Sequence, residues 1–258
     1  MLPIILDLGF IKIYTFGVFL VLAFFWSIFF LWKNIALTSY KEDEVFDTLF
    51  VSLFGALLIG RVVHIVLHFS DFGTDFIKYI LINGYPGIHV TGSIIGFFIF
   101  MLLYIRPKKI VFSRLIDYAV PAMLLAIAIG KMGAFFSGAE VGSQTSFLVS
   151  LKYPNLDGHR HLTPLYESIL FYLSSYFSYK ILMDIRREKY YEGFNFLFFM
   201  VVYSFISLVT DPIQSFKLML QGVNINMVLH GVMLLTGCIC VVYYFRTSLF
   251  KIFSRKRK

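Results

Sequence analysis

The chain has 258 residues, of which 59% are hydrophobic and 19% aromatic, and its formal net charge is +8 at pH 7. This composition excludes an ordinary soluble globular domain. The basic residues lie in short segments between apolar runs, which favours membrane topology over a nucleic-acid interface as the reason for the charge. Cys238 and Cys240 are two apart in an apolar run. Since helix residues two apart do not face each other, we expect neither a disulfide nor a metal site there. The first residues show no cleavable signal peptide.

Seven apolar segments are long enough to cross a bilayer as helices of about 20 residues. The sequence therefore predicts an all-α integral membrane protein with about seven transmembrane helices in one polytopic domain, 1–258. The expected spans are 13–32, 47–68, 89–105, 116–136, 164–183, 194–211 and 226–245.

The distribution of Lys and Arg predicts the orientation. Of the 23 basic residues, sixteen fall in the loops and tail on one side of the expected spans and five on the other. Cytoplasmic loops carry such an excess, so we expect the N-terminus outside and the C-terminus in the cytoplasm. Segment 137–163 then becomes a periplasmic loop region. The basic tail, 246–258, becomes a cytoplasmic segment that contacts anionic lipid.

The second and third expected spans contain polar candidates. Arg61 is either a buried residue paired with a carboxylate or a clamp for an anion, because its guanidinium binds phosphate through two parallel hydrogen bonds. We favour an anion partner for Arg61, and an interfacial role for His64 and His68. His89 opens the third span, either as part of a helix start or as a general base at the membrane surface.

The fourth span ends in the stretch GKMGAFFSGAEVG, residues 130–142, which places Lys131 at membrane depth. A charge there costs about 2.5–3.5 kcal/mol on insertion scales, so a partner, a cavity or a ligand is expected. Gly133, Gly138 and Gly142 would let a backbone or a lipid headgroup approach closely.

The run RHLTPLYE, residues 160–167, precedes the fifth span. Thr163 and Pro164 suit a helix start, and the helix dipole favours Glu167. These preferences do not explain why the pair Arg160-His161 comes just before Tyr166 and Glu167. This combination of polar residues indicates a polar network at the start of the span. At the end of the sixth span, Asp211 could pair with Arg61 or Lys131.

In this order, these pieces resemble the bacterial prolipoprotein diacylglyceryl transferase family over most of the chain. RHLTPLYE is similar to the family motif Arg-His-Pro-Ser/Thr-Gln-Leu-Tyr-Glu at six positions. Residues 130–142 resemble the signature Gly-Arg-Ile/Leu-Gly-Asn-Phe-x-Asn-Gly-Glu-x-x-Gly. The matches that remain are Gly-Arg at 60–61, the Gly-rich start of the third span at 90–96, and Asp-x-x-x-Pro at 117–121.

The sequence departs from the family pattern at several polar positions. Lys131 replaces the signature arginine, and Glu140 lies next to the position of the signature glutamate. The other departures are Thr91 for the third-span histidine, with His89 two residues earlier; Ala134 and Ser137 for the two asparagines; Ala139 for the glutamate; and Ser207 for an arginine four residues before Asp211.

The resemblance implies transfer of a diacylglyceryl group from phosphatidylglycerol to the lipobox cysteine of a prolipoprotein, in the bacterial inner membrane. His89, Lys131 and Glu140 would be catalytic, without cofactor or metal. The substrate-binding residues would be Arg61, Gly133, Gly138, Gly142, Tyr166, Glu167 and Asp211. The expected partners are an anionic lipid, the prolipoprotein signal peptide and the bilayer, with no nucleic acid. The alternative is a non-catalytic relative that binds lipid or lipoprotein for assembly or transport.

Overall fold

A computed structural model describes most of the chain. The described residues are 2–9, 12–81, 85, 87–108, 110–153, 156–215, 217, 219–220 and 222–255. Three predictions fall partly outside them: Lys109 among the predicted cytoplasmic charges, residues 154–155 of the predicted periplasmic loop region, and residues 256–258 of the predicted basic tail.

Long helices account for most of the described structure, and one covers each of the seven expected spans. Two short helices and a single 3-10 turn, Asp211–Ile213, join them. The helices are α1 (Thr15–Ile35), α2 (Glu42–Leu67), α3 (Phe69–Phe72), α4 (Phe76–Ile80), α5 (Val90–Ile105), α6 (Phe112–Ser137), α7 (Thr163–Arg186), α8 (Phe194–Thr210) and α9 (Ile225–Arg255).

The described residues also form three small antiparallel hairpins, which the sequence did not predict, one before α1 and two between helices. They are β1 (Ile4–Asp7) with β2 (Lys12–Tyr14), β3 (Ser150–Lys152) with β4 (His159–His161), and β5 (Met219–Leu220) with β6 (Val223–Asn224). In the second hairpin Ser150 lies opposite His161 and Lys152 opposite His159.

Five of the helical segments in the described chain are long and apolar enough to cross a membrane: Thr15–Ile35, Glu42–Leu67, Phe112–Ser137, Phe194–Ile213 and Ile225–Arg246. The helix Val90–Ile105 is apolar but shorter. An integral membrane protein built of helices is therefore confirmed. The helix α7 is not among these candidates, so the number of seven spans stays a prediction, as does the orientation.

The chain divides into two compact units, residues 1–34 with 116–258 and residues 35–115. In the second unit, α2 packs on α5 through glycines. A side chain on Gly55 would overlap Phe100, and one on Gly96 would overlap the Gly55 carbonyl and Ile59. Small residues thus allow the two helix backbones to approach closely, as at many interfaces between membrane helices.

In the first unit, a polar joint connects α6 to the start of α8. Pro121 has no N–H group, so the Asp117 carbonyl four residues earlier lacks its helical partner. The Asn195 side chain donates to this carbonyl at 2.9 Å. The Asp117 carboxylate accepts from the backbone N–H groups of Gly193 at 2.6 Å and Asn195 at 3.1 Å. The Asp-x-x-x-Pro motif therefore anchors the first turn of α8.

Hydroxyl groups and aromatic rings complete the packing of α7 in this unit. Ser168 donates to the Ala128 carbonyl of α6 at 2.8 Å. On the other side, the ring of Tyr203 in α8 stacks on Phe171 of α7, with centroids 5.8 Å apart. These contacts fix α7 between α6 and α8, and they set the position of Glu167 beside Ser168.

Candidate active site

Lys131 is the centre of a buried charge cluster in the first unit. Its Nζ lies 2.6 Å from Oε2 of Glu140 and 2.6 Å from Oε2 of Glu167, and its side chain is 18% exposed. The partner expected for an intramembrane lysine is therefore a pair of carboxylates. With one cation and two anions in ionised form, the cluster carries a net charge of −1.

Glu167 is the fixed member of this cluster. Its side chain is 3% exposed. Its Oε1 accepts from Thr210 Oγ1 at 2.5 Å and from the Gln214 side-chain amide at 3.1 Å. Contacts from α6, the end of α8 and the following turn thus hold the carboxylate in one orientation.

Glu140 is the exposed member, with a side chain 42% exposed. It follows the end of α6, where Gly138 adopts a φ of +74° and the Ala139 N–H donates to the Ala134 carbonyl at 3.1 Å. A residue with a side chain is strained at that φ, and glycine at this position is a common helix end. The predicted substrate-binding residue Gly138 therefore turns the chain so that Glu140 folds back onto Lys131.

An apolar groove lies next to the charge cluster, among α1, α6 and α7. Its volume is about 380 Å³. Two of its residues, Met132 and Ser168, are direct sequence neighbours of Lys131 and Glu167. The lining residues are Phe19, Ala128, Ile129, Met132, Ser168, Ile169, Tyr172 and Leu173.

The other predicted glycines lie at close contacts within the protein. A side chain on Gly133 would overlap Phe19 of α1. One on Gly142 would overlap the backbone oxygen and Cβ of His161 and the hydroxyl of Thr163. Each glycine thus allows two segments of the first unit to meet.

The described residues of the segment 138–162 form loops and strands that contact the start of α7, and we call them the hairpin layer. Tyr166 donates through its hydroxyl to the Val149 carbonyl at 2.6 Å, which ties this layer to α7. Val141, Tyr153 and Leu162 are its buried centre. Burial raises the pKa of the Tyr153 phenol above its ordinary value, and the neighbouring Tyr166 adds to the increase.

Asp211 is 3% exposed and accepts a hydrogen bond from the Asn224 side chain. The carboxylate partners of Lys131 in the described chain are Glu140 and Glu167. The expectation that Asp211 pairs with Lys131 is therefore wrong, and its pairing with Arg61 stays a prediction. Asp211 instead links the end of α8 to the start of α9.

In the second unit, Arg61 binds backbone. It donates to the carbonyls of Lys78 (2.9 Å), Tyr79 (3.1 Å), Tyr85 (2.7 Å) and Gly87 (2.9 Å). Four of its five N–H donors are thereby satisfied, two by carbonyls of α4 and two by Tyr85 and Gly87, which precede α5. The substrate-binding role of Arg61 stays a prediction, and the observed contacts hold α4, Tyr85 and Gly87 on α2.

His89, also in the second unit, precedes α5. Its Nδ1 accepts from the Gly92 N–H at 3.1 Å, as the side chain of a helix N-cap residue does. Its catalytic role stays a prediction. The described residues show no group of three or more His, Cys, Asp or Glu side chains arranged to hold a metal ion.

Thr210 and Gln214 are parts of the site that the sequence did not indicate. They lie more than forty residues from Glu167 along the chain. A Thr or Gln near a helix end is common, and no local pattern predicts a distant carboxylate partner.

Comparisons with known proteins agree with this architecture. The family model for prolipoprotein diacylglyceryl transferase matches residues 3–243. The chain belongs to the prolipoprotein diacylglyceryl transferase family. The resemblance stated from the motifs is thus confirmed.

Individual relatives match over most of their length. Each of the following is named a phosphatidylglycerol–prolipoprotein diacylglyceryl transferase. The Clostridium tetani protein is 26% identical over 220 residues, 83% of this chain and 86% of the relative. The Listeria monocytogenes protein is 26% identical over 251 residues, which cover 93% of this chain and 89% of the relative. The Clostridium novyi protein is 25% identical over 248 residues, which cover 93% of this chain and 95% of the relative. Both the family and these names indicate a membrane transferase of lipoprotein biosynthesis.

Proposed function

We propose that the protein transfers the diacylglyceryl group of phosphatidylglycerol to the lipobox cysteine of prolipoproteins, forming a thioether. The observation that carries the proposal is the charge cluster around Lys131 beside an apolar groove. A two-tailed anionic lipid needs both features, a cation for its phosphate and an apolar surface for its acyl chains. Family membership supplies the reaction class.

The groove suits part of an acyl chain. Its volume of about 380 Å³ falls in the range of about 300–1,000 Å³ typical of small-molecule sites. Ser168, one of the two lining residues with a hydroxyl, already donates to the Ala128 carbonyl. The hydroxyl of this residue would therefore keep its hydrogen bond when an acyl chain fills the groove.

Lys131 would hold the lipid phosphate in exchange for Glu140. Because the cluster is already net negative, a phosphate can approach only if a carboxylate moves away. Glu167 is buried and hydrogen-bonded, whereas Glu140 is 42% exposed and follows a glycine turn. We therefore expect Glu140 to yield its place to the phosphate, while Glu167 keeps Lys131 in position.

In this role Lys131 stabilises the negative charge that develops on the leaving glycerol phosphate. Removal of one such donor typically costs about 10²–10³ in kcat. A lysine is a point charge and lacks the two-pronged geometry of the arginine in the family signature, so orientation of the phosphate would depend on other donors as well.

The topology belongs to the proposal. Seven spans, with the N-terminus outside and the C-terminus in the cytoplasm of a bacterial inner membrane, would place the Lys131 cluster and the hairpin layer on the periplasmic side. Reactivity of single introduced cysteines in the 143–150 segment and after residue 246 with an impermeant thiol reagent tests this arrangement. Labelling of the C-terminal positions in intact cells would contradict it.

The activity test uses the purified full chain in phosphatidylglycerol nanodiscs with a lipobox peptide. Mass spectrometry should detect a peptide that has gained one diacylglyceryl group, and the same peptide with serine for cysteine should stay unmodified. Lys131→Ala should lose about 10² or more of kcat/KM, and Lys131→Arg should regain part of it. Lys189→Ala is the matched control, because Lys189 forms an exposed pair with Asp184 at 2.8 Å.

Absence of product from the wild-type chain, under conditions where a relative with the complete signature works, would contradict the proposed reaction. Retained lipid binding in that case would favour the non-catalytic alternative.

A further inference from the structure

The hairpin layer contains buried polar atoms that the described residues leave without a hydrogen-bond partner. They include Tyr153 Oη, Arg160 Nε and His161 Nδ1. A buried polar atom without a partner costs about 1–3 kcal/mol. Arg160 and His161 are neighbours in one strand, so their side chains point to opposite faces. Tyr153 and His161 both lie near Tyr166, so these two unpartnered atoms indicate a position where a polar group of a ligand is received.

His161 lies against the segment that carries Glu140. Its backbone N–H donates to the Ser143 carbonyl at 3.1 Å, and Gly142 packs against its backbone oxygen and Cβ. Its ring lies 6.1 Å from the Phe147 ring and 6.4 Å from the Tyr166 ring, between centroids. His161 thus packs against the residues that directly follow Glu140 of the Lys131 cluster.

The reaction needs a base, and the other candidates in the described chain are already engaged. Glu140 and Glu167 both lie 2.6 Å from Lys131 Nζ, so both carboxylates are engaged with a cation. His89 Nδ1 accepts from the backbone of Gly92. A neutral imidazole with an ordinary pKa of about 6.5 is well matched to a thiol with an ordinary pKa of about 8.5.

We propose that His161 is the catalytic base of the transfer reaction, with Nδ1 accepting the thiol proton of the lipobox cysteine and Tyr153 Oη donating a hydrogen bond to the resulting thiolate. The inference rests on the proposed function. It requires the His161 tautomer whose proton is on Nε2, which leaves the Nδ1 lone pair free. The titratable groups around this position are Tyr166 of α7, 6.4 Å from His161 between ring centroids, and Tyr153 of the hairpin layer, which packs against Tyr166.

In the proposed step the S–H proton moves to His161 Nδ1, and the thiolate attacks the carbon of the diacylglyceryl group that carries the phosphate ester. The C–S bond forms while the C–O bond breaks, and the oxygen leaves with the electron pair as glycerol phosphate. The imidazolium then returns its proton to water or to the departing phosphate. Lys131 is positioned for the leaving group, and His161 for the nucleophile.

The test compares His161→Gln with His159→Gln in the nanodisc assay. His159 is the matched control, since it lies two residues earlier in the same strand and is exposed. We expect His161→Gln to lose about 10²–10⁴ in kcat at pH 7, the usual contribution of a general base. Binding of phosphatidylglycerol and the melting temperature should stay at the wild-type values. His159→Gln should keep its activity.

The pH profile distinguishes a base from a structural residue. As the pH rises towards about 8.5, more of the thiol ionises without help, so the defect of His161→Gln should shrink. Free imidazole should restore activity to His161→Ala, which covers the case in which the Gln variant does not fold. A folded His161→Gln protein with wild-type kcat and an unchanged pH profile overturns the inference but leaves the proposed function intact. Absence of product from the wild-type chain would instead contradict the proposed function.

Discussion

Lys131 and Glu167 form a buried ion pair, with 2.6 Å between Nζ and Oε2, and the Glu167 side chain is 3% exposed. The same lysine is also 2.6 Å from Glu140, whose side chain is 42% exposed. One cation therefore joins a fixed carboxylate on α7 to a displaceable one after α6. This asymmetry in exposure leads to different expectations for the two glutamates.

Glu167→Gln should destabilise the protein far more than Glu140→Gln. Removing one partner of a buried pair costs about 3–5 kcal/mol, whereas a largely exposed pair contributes about 0–1 kcal/mol. Thermal unfolding in detergent measures the difference between the two variants. Equal melting temperatures would mean that the two carboxylates support Lys131 equally, which contradicts the fixed and displaceable roles.

Substitutions of the two glycines beside Lys131 should have opposite effects. Gly130 has no atom within 4 Å of an added Cβ, while Gly133 lies directly against Phe19. Gly130→Ala should stabilise α6 by up to about 1 kcal/mol through helix propensity. Gly133→Ala should destabilise it by about 1–3 kcal/mol through overpacking against α1. The comparison is made by denaturant or thermal unfolding, and a stabilised Gly133→Ala protein would refute the close contact.

Arg61→Gln should loosen the packing of α4, Tyr85 and Gly87 on α2. The change removes hydrogen bonds from a charged donor to four backbone carbonyls, and bonds of this kind are worth about 1.5–3 kcal/mol each before relaxation. Limited proteolysis of residues 73–88 should accelerate. Arg106→Gln is the control, because Arg106 is exposed at the end of α5 in the same unit.

The same variants test the predicted contact of Arg61 with lipid. If Arg61→Gln binds phosphatidylglycerol less tightly while proteolysis of the segment is unchanged, Arg61 is a ligand of the lipid. If proteolysis alone changes, its function is to hold the segment.

Tyr153→Phe should raise stability and lower activity. The phenol oxygen is buried, with no hydrogen-bond partner among the described residues, so its removal should stabilise the fold by about 1 kcal/mol. The hydrogen bond proposed for the acceptor thiolate would be lost, and kcat should fall. Tyr191→Phe serves as the control, because Tyr191 is 80% exposed. A variant with unchanged kcat would remove Tyr153 from the proposed mechanism.

The raised pKa of Tyr153 also predicts that the folded protein loses stability at alkaline pH. The folded-state pKa of this residue is raised by burial, so the folded protein favours the neutral phenol. Folding is unaffected below the ordinary tyrosine pKa of about 10, and stability declines as the pH rises above that value. Proteolysis of the hairpin layer should therefore increase above pH about 10 in the wild type. The increase should be smaller in Tyr153→Phe, and identical pH profiles would contradict the assignment.

The helices of this protein follow from local sequence, as do the motifs that reveal its family. Apolar runs of suitable length placed the long helices to within about five residues at each end, because a helix satisfies its backbone hydrogen bonds within its own segment. The exception is α9, which continues to Arg255, ten residues past the predicted end at 245. Lys131 could be recognised as needing a partner for the same reason, since a charge among apolar residues is costly wherever the chain goes.

The tertiary structure decided which polar side chains bind each other. The sequence suggested Asp211 as the partner of Lys131, yet Lys131 pairs with Glu140 and Glu167. Arg61 binds backbone carbonyls. The unpaired Nδ1 of His161 and Oη of Tyr153 are visible only once the hairpin layer is folded. Hydrogen bonds and ion pairs act over about 3 Å, and residues forty positions apart meet at that distance only through packing of helices. The sequence alone therefore determined the helices and the family. The packing of α6, α7 and the hairpin layer determined which polar atoms have a hydrogen-bond partner within the protein and which are left to bind a substrate.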